Sequence, residues 1–209
     1  MHQPPLPMLW QPLDIAGRHF QVLNLDHPHV TAHVMDDIDT GVRVYYDQRW
    51  QVTTHFCHFL LAEPVWVADR TVLVLGAGVG LETLVIGSLC RTLYINDLSS
   101  RALALCAWQL RQNRLTHFVC LPGRYEQLPL PSVDLIVGCF LVYNRDTAAA
   151  MRQLLSRPTP AVLLVNDHMP ALRQLLRQTS RPHQSLQSPN DVPYLLFAAS
   201  GPEPATARV

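Results

Sequence analysis

Lysine is absent from this chain: all 16 basic residues are arginine. Its cationic groups are therefore planar, weakly hydrated guanidinium ions. Net charge is absent too, because 16 acidic residues balance the 16 basic ones. That removes a global field able to draw the chain to nucleic acid or an anionic membrane. No arginine-rich strip interleaved with aromatics appears, so neither partner is expected. None of the five cysteines, Cys57, Cys90, Cys106, Cys120 and Cys139, forms a C-x-x-C pair. Four of them lie within apolar runs and read as buried thiols of a reducing compartment. No segment reaches the ~18 consecutive apolar residues of a membrane span. The opening MHQPPLPMLWQP has no basic region and no long apolar stretch, so it does not read as a signal peptide. A cytoplasmic protein is expected.

Hydrophobic residues make up 48% of the 209, enough for the full core of one domain. Residues 1–12 hold four prolines and read as an extended arm. RHFQVLNL (18–25) alternates like a strand, MDDIDTG (35–41) reads as a turn, and VRVYYD (42–47) reads as a strand. RWQVTTHFCHFLLAE (49–63) is a helix that Pro64 stops, with Val52, Phe56, Phe59 and Leu60 on one face. From residue 71 the pattern becomes alternating strand and helix. Strands are expected at 71–75, 92–96, 117–121, 133–140 and 161–166, with helices at about 80–90, 99–113, 146–156 and 170–179. Two last strands, around 183–188 and 193–199, flank SPND, a turn signal that permits a hairpin. Such alternation predicts an α/β fold with a mainly parallel, doubly wound sheet.

The stretch TVLVLGAGVGLETLVI (71–86) carries the chemistry. Gly76, Gly78 and Gly80 fall where the strand gives way to a helix. Glycine there lets backbone approach a ligand with no Cβ in the way, and nucleotide-type ligands bind beyond strand ends in such sheets. The dinucleotide fingerprint is G-x-G-x-x-G, but Leu81 stands where its third glycine would fall. This disfavours NAD and favours S-adenosylmethionine, which has no pyrophosphate to cradle. Asp97, closing the second of these strands, can accept hydrogen bonds from both ribose hydroxyls, a need common to either cofactor.

With the glycine turn, YINDLSSRALALCAWQLRQN and VDLIVGCFLVY in view, residues 48–199 resemble the seven-stranded class I S-adenosylmethionine-dependent methyltransferases, and most of all the protein-lysine methyltransferase-like branch. The resemblance implies a Rossmann-like sheet of six parallel strands with a seventh inserted antiparallel. It divides the chain into an N-terminal extension (1–47), a cofactor-binding domain (48–200) and a tail (201–209). It implies that Gly76, Ala77, Gly78 and Gly80 pack against the amino-acid end of the cofactor. Asp97 would hold the ribose and Leu98 the adenine, with Arg124 and Tyr125 along the adenine edge. Cys139 and Phe140 would wall the methyl-transfer end, and Trp50, before the first of these strands, would lie near the cofactor. Three positions depart from the family. Val74 stands where many relatives carry an acid that helps bind the cofactor's amino group. Arg124 replaces a frequent aspartate. The branch's D-x-x-Y reads Phe140-Leu-Val-Tyr143, keeping only the tyrosine.

The implied function is S-adenosylmethionine-dependent transfer of a methyl group to nitrogen, with a protein lysine as the leading acceptor. A small-molecule methyltransferase and a non-catalytic cofactor- or partner-binding module are the alternatives. A lysine amine, with a free pKa of ~10.4, costs about 4.6 kcal/mol to deprotonate at pH 7. Tyr143 could orient such an amine, and Asp167, in the NDH run at 166–168, is the second catalytic candidate. The commoner role of Asn166 and Asp167 would be to cap the helix at Pro170. His27, His29 and His33 lie close in sequence without a cysteine nearby, and no metal site is expected. Asp36, Asp37 and Asp39 read as a solvated turn, with docking of a basic segment as the functional alternative.

Overall fold

The computed structural model describes residues 8–41, 45–186, 188 and 192–200. Strands β1 (Trp10–Ile15) and β2 (Arg18–Leu23) form an antiparallel hairpin. Helices α1 (Pro28–Asp39) and α2 (Gln51–Ala62) follow, then a short 3-10 turn at Pro64–Trp66. The rest alternates: β3 (Thr71–Leu75), α3 (Leu81–Gly87), β4 (Thr92–Asp97), α4 (Ser100–Gln112), β5 (Phe118–Pro122), β6 (Leu135–Cys139), α5 (Arg145–Leu155), β7 (Ala161–Val165) and α6 (Pro170–Gln178). Strands β8 (His183–Leu186) and β9 (Tyr194–Phe197) close the sheet.

The seven-stranded sheet runs β5-β4-β3-β6-β7-β9-β8, parallel except for β9, which is antiparallel to both β7 and β8. This is the sheet that the alternation predicts. β3, β6 and β7 are almost wholly buried, as continuous apolar runs are when helices cover both faces. One core lies between the sheet and α2, α3 and α4 and includes Phe56, Leu84 and Leu110. A second lies toward α5 and α6 and includes Met151, Leu154 and Leu172, and a third joins α1 to α4 through Val30, Val34 and Leu105. The strand order reverses at β3, whose neighbours β4 and β6 lead to opposite edges. A crevice beyond the strand ends at this reversal is where such sheets bind ligands.

The N-terminal region departs from its sequence reading. Residues 28–39 are helical, so the acidic run lies on α1 and only its end forms a turn. Trp10–Pro12 of the expected arm pair with β2; residues 1–7 lie outside the described ones. Of the strand expected over 42–47, residues 42–44 lie outside, and 45–47 are not in a strand. The SPND turn lies largely outside the described residues as well, as does the 201–209 tail. Cys120 is exposed on edge strand β5, unlike the other four cysteines.

Asp37 explains the helix's attachment. It is 1% exposed, although its neighbours Asp36 and Asp39 face solvent. Its carboxylate accepts from the Tyr46 hydroxyl at 2.6 Å, from the Ser99 hydroxyl, and from Arg101 at 2.9 Å. Burial raises this carboxyl's pKa, but the three donors and the arginine charge outweigh it, and the net shift is downward. The reading of this acid as part of a solvated turn is therefore corrected: Asp37 joins α1 to the start of α4.

Candidate functional site

A cavity of about 550 Å³ opens at the ends of β3, β4 and β6. Its floor is the turn after β3. Gly76, Gly78 and Gly80 have φ of 59°, 53° and 78°. At these left-handed values any other L-residue is strained, so the three glycines follow from the turn itself. The Gly78 turn is also tight against Tyr46, whose Cβ lies 3.3 Å from where a Gly78 Cβ would stand.

Asp97 stands at the end of β4. Its Oδ2 accepts from the Gly78 N–H at 2.9 Å and its Oδ1 from the Ser99 N–H at 2.8 Å. Burial raises its pKa, opposed by these backbone donors and reinforced by the Asp37 charge. A carboxylate has about four lone-pair sites, so two donors leave capacity for further hydroxyls. Next to it Leu98 is 57% exposed at the cavity edge, an apolar face open to a ligand. On the far side Arg124 bonds Glu126 at 2.6 Å, and Tyr125 is half-buried.

The wall beyond β6 is aromatic. Trp50, at the N-cap of α2, stacks on Phe140 with ring centres 4.5 Å apart. Tyr45 packs on Tyr143 at 4.6 Å. Phe140 has φ of 53°, a conformation costing about 1–3 kcal/mol outside glycine. Neighbouring bonds hold it there: its N–H donates to the Val165 carbonyl at 2.7 Å. Asn166 then grips Val142, accepting from its N–H at 2.8 Å and donating to its carbonyl at 3.0 Å. Asn166 therefore clamps the loop after β6 and does not cap α6, whose N-cap is Met169.

Trp50, Gly76, Ala77, Gly78, Gly80, Asp97, Leu98, Arg124, Tyr125, Cys139, Phe140 and Tyr143 all line this one cavity. Asp167 does not; it is exposed beyond the clamp. Sequence reading missed Glu82, Thr53, Arg49 and Tyr45, which also line it. Only the position of Glu82 in the first turn after the glycines could have drawn attention to it. Burial pushes the Glu82 carboxyl up to about 7, with Asp97 adding to the rise against a hydrogen bond from its own backbone. Cys139 sits 3.6 Å from the Thr53 hydroxyl, and burial pushes its thiol well up, so it is no thiolate nucleophile. Among the described residues no group of three His, Cys, Asp or Glu is placed to hold a metal ion. His27 instead caps α1 by accepting from the His29 N–H.

No family model matches the chain, and a search of curated proteins finds no match. Solved structures do match. A 16S rRNA methyltransferase (RsmC) of T. thermophilus, in complex with AdoMet and guanosine, aligns with TM-score 0.63 and 21% identity, covering 95% of this chain and 52% of that one. A ribosomal protein methylase of Lactobacillus delbrueckii subsp. bulgaricus aligns with TM-score 0.56 and 16% identity over 74% of this chain and 81% of that one. An Aquifex aeolicus SAM-dependent methyltransferase aligns with TM-score 0.51 and 14% identity over 68% and 88%. This chain has the class I methyltransferase fold. The antiparallel β9 inserted between β7 and β8 is the seventh strand that the sequence resemblance implies.

The cavity's chemistry is compatible with S-adenosylmethionine. It offers a carboxylate at the end of β4 for ribose hydroxyls, apolar side chains for a base, and the buried carboxylate of Glu82 for a cation. No helix among the described residues is long and apolar enough to cross a membrane.

Proposed function

We propose that this chain is an S-adenosylmethionine-dependent methyltransferase acting on nitrogen. The observation that carries the reading is the shared cavity of the glycine turn, Asp97 and the aromatic wall at the sheet's reversal point. When bound, the cofactor supplies an already activated methyl group. The chain's task is then alignment, which can supply roughly 7–11 kcal/mol of a barrier. Asp97 would hold the ribose, with Leu98, Arg124 and Tyr125 around the adenine. Phe140, Trp50 and Tyr143 would border the acceptor.

Two acceptors follow from two features. A protein lysine is the acceptor implied by the resemblance of the sequence motifs, with Tyr143 orienting the amine. A planar base is the second reading. The rings of Tyr45, Trp50, Phe140 and Tyr143 favour it, since they offer stacking surfaces and position 140 carries a ring in place of the branch's carboxylate. The relative solved with guanosine acts on rRNA, and the other on a ribosomal protein, so both acceptor classes occur on this fold. The sequence-based expectation of no nucleic-acid partner is accordingly not carried into this proposal.

The test is incubation with methyl-labelled cofactor and separated protein, RNA and small-molecule fractions of a lysate. Label in the protein fraction supports the lysine reading, and label in RNA the base reading. Label only in small molecules replaces both with a metabolite methyltransferase. Cofactor binding with no transfer to any fraction would leave a binding module, and no binding would refute the proposal.

A further inference from the structure

Four carboxylates line the cavity: Glu82, Asp97, Glu126 and Asp146. Three have donors or solvent close at hand. Asp97 receives two backbone N–H groups, Glu126 is paired with Arg124, and Asp146 is exposed to solvent. Glu82 is 5% exposed, and among the described residues no other side chain hydrogen-bonds or ion-pairs with it. The groups acting on it from adjoining elements are the Cys57 thiol on α2, the Cys106 thiol on α4, the Cys139 thiol on β6 and the Asp97 carboxylate on β4. Burial keeps those thiols neutral. Among the described residues, the guanidinium groups lining the cavity are those of Arg49 and Arg124, which lie at its exposed rim and bond to the Leu23 carbonyl and to Glu126. A carboxylate buried without a cation is costly, so the place selects for a ligand that brings one.

We propose that Glu82 is the counter-charge for the α-ammonium of the cofactor's amino-acid end, and that it makes the site discriminate for ligands carrying that cation. This rests on the cofactor reading above. Strand β3 offers no acid for the task, since Val74 is a fully buried hydrocarbon side chain. Glu82 lies just past the glycine turn and borders the same cavity. Its ordinary pKa of 4.5 is pushed to about 7 by burial, so near neutrality the pocket is only partly charged without a cation. A cationic ligand binds the ionised form, and its affinity therefore climbs as pH rises through that range.

Calorimetry with two neutral-thioether ligands tests this. S-adenosylhomocysteine carries the ammonium, whereas 5′-methylthioadenosine lacks the whole amino-acid end. Glu82→Gln is expected to weaken S-adenosylhomocysteine by about tenfold or more at about pH 8, and methylthioadenosine by less than about twofold. In the wild type, the ratio of the two affinities is expected to rise several-fold between about pH 6 and about pH 8, and in Glu82→Gln to stay flat. Asp97 is assigned to the ribose common to both ligands, so on that assignment its titration cancels in the ratio. Equal losses for both ligands, or no loss for either, would overturn the assignment. A flat ratio in the wild type would do so without any variant. Failure of the wild type to bind either nucleoside would instead overturn the cofactor reading.

Discussion

The Gly78 N–H donates to Oδ2 of Asp97 at 2.9 Å, so the turn after β3 and the end of β4 are held as one unit. Asp97 makes the same kind of bond to Ser99 at 2.8 Å. Asp97→Ala removes the acceptor for both N–H groups. With charged acceptors contributing about 1.5–3 kcal/mol each, and water able to reach the vacated space, a stability loss of about 2–3 kcal/mol is expected in urea titration. Cofactor affinity should fall about tenfold or more in calorimetry. Unchanged affinity would remove Asp97 from the ribose role.

Gly78→Val tests the turn from its other side. A β-branched residue at φ of 53° is strained, and its Cβ would crowd Tyr46. Loss of about 2 kcal/mol or more in stability is expected, with cofactor binding abolished. A variant that unfolds like the wild type and still binds would show that the turn tolerates a side chain.

The sheet and this turn were legible in the sequence for a local reason. β3, β6 and β7 are short apolar runs bounded by turn residues, and a glycine turn leading to an acidic strand end carries its own signal. The contacts of α1 were not legible. Asp37 looks like one of several acids in a polar run, and what buries it is Ser99, 62 residues away in sequence, with Arg101 beside it. Glu82 was missed for a related reason: a carboxylate in a helix's first turn is ordinarily solvated and favourable there. Only the packing of α2, α4 and β6 around α3 makes it a buried charge. Asn166 looked like a helix cap because local patterns cannot see its partner Val142 on the neighbouring loop.

Asp37→Ala should loosen the N-terminal region. It would remove the acceptor of the Ser99 hydroxyl, leave the Tyr46 hydroxyl only its longer contact to the His33 carbonyl at 3.3 Å, and leave Arg101 without its shorter carboxylate contact. Arg101 is partly exposed, so its share is discounted, and a total of about 2–3 kcal/mol is expected. Because this carboxyl's pKa is lowered on folding, its contribution is present above the usual carboxylate range and is lost as pH falls below it. A difference in stability between wild type and variant that does not shrink in acid would contradict this account.

Glu82 acts with the opposite sign. Its pKa rises from 4.5 to about 7 on folding, so between these values the unfolded chain ionises while the folded chain keeps its proton. Stability is therefore greatest for this group below 4.5, falls as pH rises, and levels off above about 7. The gap converts to about 3 kcal/mol. Glu82→Gln should remove that decline and be the more stable protein near pH 8, although it binds the cofactor less well. Asp97 is shifted the same way and leaves a residual slope, so the diagnostic quantity is the difference between wild type and variant across pH. A constant difference would mean that Glu82 is ionised, and compensated, in the folded chain.

Tyr143 separates the two acceptor readings. Its backbone N–H is held by the Thr147 hydroxyl at 3.1 Å, and its ring packs on Tyr45, so the ring's position does not depend on the phenolic oxygen alone. Tyr143→Phe keeps the ring and deletes the hydroxyl. If the hydroxyl orients an amine, kcat should fall by about a hundredfold with cofactor affinity unchanged, measured on the fraction that accepts label. If the ring serves as a stacking surface, Tyr143→Phe should turn over nearly as the wild type does. Tyr143→Ala should then raise KM for the acceptor, since stacking on an aromatic ring contributes about 1–3 kcal/mol per base. The kcat and KM effects of the two variants thus distinguish chemistry at the oxygen from recognition by the ring face. A Tyr143→Ala variant with both constants unchanged would remove this residue from the acceptor site.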